Sequence, residues 1–197
     1  MLSKSIEKLA NEFNKLPGIG KKSALRLAFH ILEMDNEDVI KFTKIMLDVK
    51  ENVKRCSICG NISEEENCVI CENEERDNET ICVVEDVRDV IAMEKSGMYK
   101  GHYHVLHGKI SPLNGVEASD LNIDSLIERI NKSNIKEVIL ALNPDLEGEM
   151  TSLYLSKILK ENDVQVTKIA SGIPMGGNIE YADMATIISA IENRKKF

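Results

Sequence analysis

The chain has 197 residues, 43% of them apolar, and a net charge of −8. That length suits one large domain or a few small ones, and that apolar share is enough to bury a core. Charges inside the first stretch, MLSKSIEKLANEF, argue against a secretory signal, and no apolar run approaches the ~20 residues that span a bilayer, so a soluble cytoplasmic protein is expected.

With no Trp and only four Phe and four Tyr, the core must be built from Ile, Leu, Val and Met. A negative net charge argues at first against nucleic acid, but its distribution matters more. Residues 1–32 carry six Lys/Arg against two Glu, whereas residues 56–79 carry one Arg against eight acids. The chain therefore has a basic head and an acidic insert. Any DNA would meet the head, with the insert facing away from it.

Residues 3–14 read as a helix, with Ser3 as N-cap and Ile6, Leu9, Ala10 and Phe13 on one face. Pro17-Gly18-Ile19-Gly20 breaks it. Helices are predicted from about Lys22 to Leu32 and from about Glu37 to Val53. The pattern after residue 79 alternates strand and helix. Strands are expected at Thr80–Val84, Tyr103–Leu106, Glu137–Leu142 and Val164–Ile169. Helices are expected at Val87–Lys95, Ile123–Ile130, Gly148–Lys160 and Tyr181–Ile191. Such alternation implies a mainly parallel sheet covered on both faces.

The hairpin LPGIGKKSALRLA places two glycines around Ile19, which would plug the turn into the core. Such a turn leaves the first N–H groups of the next helix free, and these together with the helix dipole favour an anion. Lys21, Lys22 and Arg26 add charge beside it. Contacts of this kind read the DNA backbone, so binding should be independent of base sequence and weakened by salt. The stretch resembles the helix-hairpin-helix motif of DNA-repair proteins, with Gly18, Gly20, Lys21, Lys22 and Arg26 as the contact set. A plain Pro-Gly connection with solvated lysines would give the same spacing. The basic residues directly after the glycines favour DNA.

Four of the five cysteines follow Cys56-x2-Cys59-x8-Cys68-x2-Cys71. Each C-x2-C pair aims two thiolates at one point, and two pairs supply the four sulfurs that tetrahedral Zn²⁺ takes. With every position filled by protein, the single zinc per chain is structural. A redox pair or four unrelated thiols would be the alternatives. Cys82 lies in the apolar run TICVV and reads as a small core residue.

Acids gather after two strands: Glu85-Asp86 follows TICVV, and Asn143-Pro-Asp145-Leu-Glu147-Gly-Glu149 follows EVILAL. The carboxyl ends of parallel strands are where α/β sheets place their sites, and carboxylates there suit Mg²⁺. The acids could instead cap the following helix. The pattern resembles the Toprim domain, with Glu85, Asp145 and Glu147 as its acids. Asn143 stands where a first Asp is usual, which weakens any Mg²⁺ site and argues against catalysis.

Other motifs carry less. His102, His104 and His107 do not share one strand face, so packing or loop hydrogen bonding accounts for them better than a second metal. Gly172-Ile-Pro-Met-Gly-Gly177 lacks the lysine of a nucleotide loop and reads as a turn helping to build a subunit interface. Lys195-Lys196 is too short for a nucleic-acid tail.

LPGIGKKSALRLAFHIL, the cysteine cluster, ICVVED, YHVLHGKISPLNG, ALNPDLEGEMTSLYL and GIPMGGNIEYAD occur in the order found in the RecR family. Val116-Glu117-Ala118 and Met184 depart from its usual pattern. The resemblance implies an α+β, multi-module chain. Its parts would be a helix-hairpin-helix head (1–54), a four-cysteine zinc finger (55–79), a Toprim α/β domain with a mainly parallel four-stranded sheet (80–170) and a C-terminal tail and helix (171–197). It also implies a non-enzymatic mediator of recombinational repair. As a homotetrameric ring it would encircle DNA and act with RecO, and in some organisms RecF, to load recombinase onto single strands. RecO would engage the acids at Glu85, Asp145 and Glu147. The alternatives are a Mg²⁺-dependent DNA-cleaving Toprim enzyme and a zinc-ribbon adaptor that binds only proteins.

Overall fold

A computed structural model describes residues 2–195, so Lys196 of the discounted basic pair lies outside the described residues. The chain divides after Val53 into two compact units.

The first unit is helical: α1 (Lys4–Asn14), α2 (Lys21–Glu33) and α3 (Asn36–Asn52). The apolar stripe of α1, Ile6, Leu9, Ala10 and Phe13, is its half-buried face. Ser3 stands at the N-cap but its side chain makes no capping bond. In α2 the buried positions are Ala24 and Ala28, four residues apart and therefore on one face. Small side chains there let α1 approach closely. On α3, Ile40, Ile45, Met46 and Leu47 are all exposed.

The second unit opens with a short antiparallel ribbon, β1 (Lys54–Arg55) with β2 (Ile62–Ser63), which carries the first cysteine pair in its bend. The chain continues through β3 (Asp77–Val84), α4 (Val87–Ser96) and β4 (Gly101–Val105), then α5 (Asp124–Lys132), β5 (Glu137–Ala141), α6 (Leu146–Leu159), β6 (Gln165–Lys168) and α7 (Met184–Glu192). β3 to β6 form one four-stranded parallel sheet in the order β4-β3-β5-β6.

The two-residue period of the strands divides the core between the faces. Ile81 and Val83 of β3, with Val138 and Leu140 of β5, point to a cluster closed by Leu126 and Ile130 of α5 and by Leu155 and Leu159 of α6. Cys82 and Val84 point the other way, joining Tyr103, Val105, Val90 of α4 and the clustered cysteines. The cysteine ribbon thus covers part of the second face of the sheet.

Several boundaries differ from the sequence reading. β3 begins at Asp77, before its apolar run. Residues 179–181 form a single 3-10 turn, and α7 starts only after Asp183, whose carboxylate accepts the N–H of Thr186. Two further 3-10 turns, Pro112–Asn114 and Ala118–Asp120, precede α5.

Candidate functional site

The four sulfurs of Cys56, Cys59, Cys68 and Cys71 lie within 4.8 Å of one another. Zn–S bonds of ~2.3 Å in a tetrahedron put sulfurs about 3.8 Å apart. Cys59 Sγ and Cys68 Sγ are 3.6 Å apart, close to that spacing. Cys56, Cys59 and Cys68 are buried and Cys71 is half-buried. Backbone N–H groups point at the sulfurs: Asn61 N donates to Cys59 Sγ at 3.4 Å and Cys68 N to Cys56 Sγ at 3.2 Å. These donors favour thiolates. Among the protein groups alone, hydrogen bonding with Cys68 and burial push the Cys59 thiol up to about 12. Hydrogen bonds from Cys59 and Cys68, with burial, push Cys71 up as well, and those from Cys59 and Cys71 hold Cys68 down, so the protein alone favours one thiolate among its neighbours' thiols. Thiols so crowded need a cation to ionise together, and the residues fit zinc in number, spacing and donor type.

The ribbon is bonded to the sheet it covers. Val105 N donates to Cys59 O at 2.8 Å. Arg76, just past the second cysteine pair, makes a two-pronged pair with Glu94 of α4 at 3.0 and 2.7 Å and donates to Gly101 O at 2.8 Å. Its guanidinium lies 5.7 Å from the centre of the Tyr103 ring. Cys82 is fully buried in the sheet, and burial pushes its thiol up to about 12.

The hairpin residues sit on the first unit. Gly18 has φ +79°, a left-handed conformation that glycine takes without strain. Gly20 is the extended N-cap of α2, with no side-chain capping bond. A Cβ built on Gly20 would meet nothing within 4 Å, so the approach to the first turn of α2 is open. Lys21, Lys22 and Arg26 are exposed, and Ile19 is half-buried beneath the turn. Lys15, by contrast, is paired with Glu12 at 2.7 Å.

Glu85 and Asp145 come together at the carboxyl ends of β3 and β5, as their positions in the sequence imply. They are not bare. Lys109, from the loop after β4, lies between them, with its Nζ 2.5 Å from Asp145 Oδ2 and 3.4 Å from Glu85 Oε2. Asn143 Nδ2 donates to Glu85 Oε2 at 2.7 Å. Burial opposes the charge on Lys109, but its bond to Asp145 and the charge of Glu85 outweigh burial and hold its pKa above the ordinary lysine value. The same bond holds the Asp145 carboxyl below the usual range. Asp145 also caps α6, accepting from Gly148 N at 2.8 Å. Gly148 is required there, because a Cβ would fall 2.0 Å from Asn143 O. Glu147 is turned away from the pair and accepts from Ser111 and Asn114. Asp86 forms a capping box with Asp89 at the start of α4.

Lys109 escaped the sequence reading because it belongs to no spacing pattern: only the fold carries it across to Asp145. The histidines of β4 are engaged in packing. His102 bonds Asn78 at 2.8 Å, and His104 bonds the Asn122 carbonyl at 2.7 Å. Burial pushes His104 down to about 4, so it is neutral at pH 7. Gly172–Gly177 is irregular, with Gly176 at φ +80°.

Comparison with known proteins matches the chain in four stretches. A model described as RecR, helix-hairpin-helix, matches residues 6–50, and one described as the RecR four-cysteine zinc finger domain matches 53–73. A Toprim domain model matches 79–170, and RecR, C-terminal, matches 172–195. Recombination protein RecR of Staphylococcus aureus strain MRSA252 is 53% identical over 189 residues, covering 96% of each chain. The protein of the same name from strain JH9 matches to the same extent. Among solved structures, the PLP-bound C-S lyase from Staphylococcus hominis aligns at 19% identity over 64% of this chain and 32% of that one, and its TM-score of 0.30 carries no argument. No helix among the described residues is long and apolar enough to cross a membrane. With four consecutive domain matches and relatives more than half identical along nearly the whole length, the chain belongs to the RecR family.

Proposed function

We propose that this protein is a non-catalytic mediator of recombinational DNA repair that binds DNA through its basic hairpin. Membership of the RecR family supports the mediator role. The observation that carries the DNA reading is the open first turn of α2, with Gly20 uncapped and Lys21, Lys22 and Arg26 exposed beside it. A phosphate meets backbone N–H groups, the positive end of the helix dipole and side-chain cations in one place. None of these contacts reads a base, so duplex, gapped and single-stranded DNA of any sequence are substrates for binding. Zinc held by Cys56, Cys59, Cys68 and Cys71 is structural and stays out of the DNA contact.

The chain acts as a closed homotetramer that encircles DNA. Exposed apolar side chains support self-association: Ile40, Ile45 and Leu47 on α3 in one unit, and Tyr181, Met184, Ile188 and Ile191 toward the C-terminus of the other. The acids Glu85, Asp145 and Glu147 face RecO, and RecF where an organism has it, and the assembly loads recombinase onto single strands. A Mg²⁺-dependent nuclease needs bare carboxylates, and here Lys109 and Asn143 already occupy Glu85 and Asp145.

The test is to mix the purified protein with end-labelled gapped DNA and Mg²⁺ over a salt series. Native and denaturing gels are then run on the same samples. The expected result is a salt-sensitive shift with intact strands. Strands cut by the wild type, and left whole by Glu85→Gln and Asp145→Asn, would overturn the non-catalytic reading. No shift at low salt would overturn the DNA role. Light scattering on the same preparation should give four chains per particle.

A further inference from the structure

The Toprim acids imply a divalent cation, and the residues here do not fit one as they stand. We propose that Lys109 is a resident cation that takes the place of the metal and keeps this carboxylate pair closed to divalent ions. The proposal goes beyond the mediator reading and needs no DNA.

The geometry carries it. Two carboxylates, one on each of two adjacent parallel strands' carboxyl ends, share one cation: Lys109 Nζ lies 2.5 Å from Asp145 Oδ2 and 3.4 Å from Glu85 Oε2. The lysine side chain is only 12% exposed, so its stem is packed and its ammonium is held at the two carboxylates at the rim of the sheet. A divalent ion bridging the same oxygens would sit ~2.0–2.1 Å from each if Mg²⁺, which leaves no space for the ammonium. Other donors serve the same carboxylates. Asp145 Oδ1 accepts from Gly148 N, and Asn143 Nδ2 donates to Glu85 Oε2, the oxygen that also faces Lys109, where a ligand would present an oxygen. An N–H aimed at a carboxylate completes its shell in place of a cation. Glu147, the third acid, is tied to Ser111 and Asn114 and so offers no replacement ligand.

The charge balance follows. Glu85, Asp145 and Lys109 sum to −1 in place of −2. The cluster keeps enough negative charge to attract a basic side chain and loses the bare pair that a hard divalent ion needs. Lys109 is therefore a specificity-determining residue, selecting against metal at a site whose strand positions would otherwise favour it.

Mn²⁺ is the probe, because its free fraction is read directly by electron paramagnetic resonance on zinc-loaded full-length protein. Wild type should show no saturable binding at the acidic pair. Lys109→Met keeps the length of the side chain and removes its charge. It should bind one Mn²⁺ per chain and gain a melting-temperature rise of about 3–6 °C at ~10 times the dissociation constant. Adding Asn143→Asp should tighten that binding at least tenfold, and adding Asp145→Asn to Lys109→Met should abolish it. Lys109→Arg retains the charge and should behave as wild type. Circular dichroism confirms that each variant is folded. Equal Mn²⁺ binding by wild type and Lys109→Met would overturn the proposal, since the lysine would then exclude nothing. Absence of binding by both folded Lys109→Met and Lys109→Met/Asn143→Asp would also overturn it, since the position would not be a cation site at all.

Discussion

Replacing Lys21, Lys22 and Arg26 together by Ala removes three exposed cations from the first two turns of α2 without touching a buried side chain. From Lys21 to Arg26 the helix rises ~7.5 Å, and the long side chains of its three cations extend that reach to neighbouring phosphates of the backbone. Each phosphate contact on duplex DNA contributes ~0.9 to the slope of log affinity against log salt. If each cation meets one phosphate, the triple variant loses ~2.7 from that slope for every hairpin engaged. Between about 50 and about 200 mM salt, a slope of that size is worth about 40-fold in affinity. On a single strand the loss falls to ~2.1. Fluorescence anisotropy of a labelled duplex, titrated at four or more salt concentrations, reads the slope directly. Unchanged helicity by circular dichroism shows that the hairpin is intact. Parallel slopes for wild type and the folded triple variant would refute the assignment of the phosphate contacts to this hairpin.

Other predictions concern the second unit. Metal analysis should find one zinc per chain, unaffected by Cys82→Ser but lost in Cys59→Ser, and chelation should lower the melting temperature because the ribbon shares a core with the sheet. Leu126→Ala opens a cavity where α5 meets the sheet at a fully buried position, and should cost ~3–5 kcal/mol by urea denaturation. The Arg76 guanidinium holds the Glu94 carboxyl below its ordinary 4.5. A depressed carboxylate stabilises the fold above its unfolded pKa, and that contribution is lost as pH falls through the folded value. Stability should therefore drop below about pH 4.5, and Glu94→Gln should flatten that part of the pH profile; an unchanged profile would show that the pair contributes nothing there.

Much of this fold is legible in the sequence because its elements carry strong local signals. TICVV and EVILAL are apolar on both faces, as strands buried in a parallel sheet must be. The C-x2-C spacing encodes a knuckle almost by itself. What stays hidden is what depends on long-range contact. β1 and β2 are two residues each, too short to show any period. The first three residues of β3, Asp77, Asn78 and Glu79, belong to the acidic insert of the sequence, and Asp77 finds its partner Gly101 only once β4 is in place. Lys109 is 24 residues from Glu85 and 36 from Asp145 in sequence, so no motif links them. Glu147 fits the acidic pattern by position, yet Ser111 and Asn114 draw it elsewhere.

The division of the sheet between two apolar clusters sets an order of assembly. The cluster that contains the cysteines is built from residues 56–105, with later contacts, among the described residues, only from Ile139 and Ala141. The opposite cluster needs residues as late as Leu159. A ribosome delivers the ribbon, β3 and β4 well before β5, whose Ala141 pairs with Val84 across 57 residues of chain. Parallel pairing over such a span is slow, and an unpaired apolar strand is prone to aggregate while it waits. Zinc capture during synthesis would close one face of β3 early and shelter it until its second neighbour arrives. Zinc supply should thus govern how much of the protein matures, more than how long a finished molecule survives.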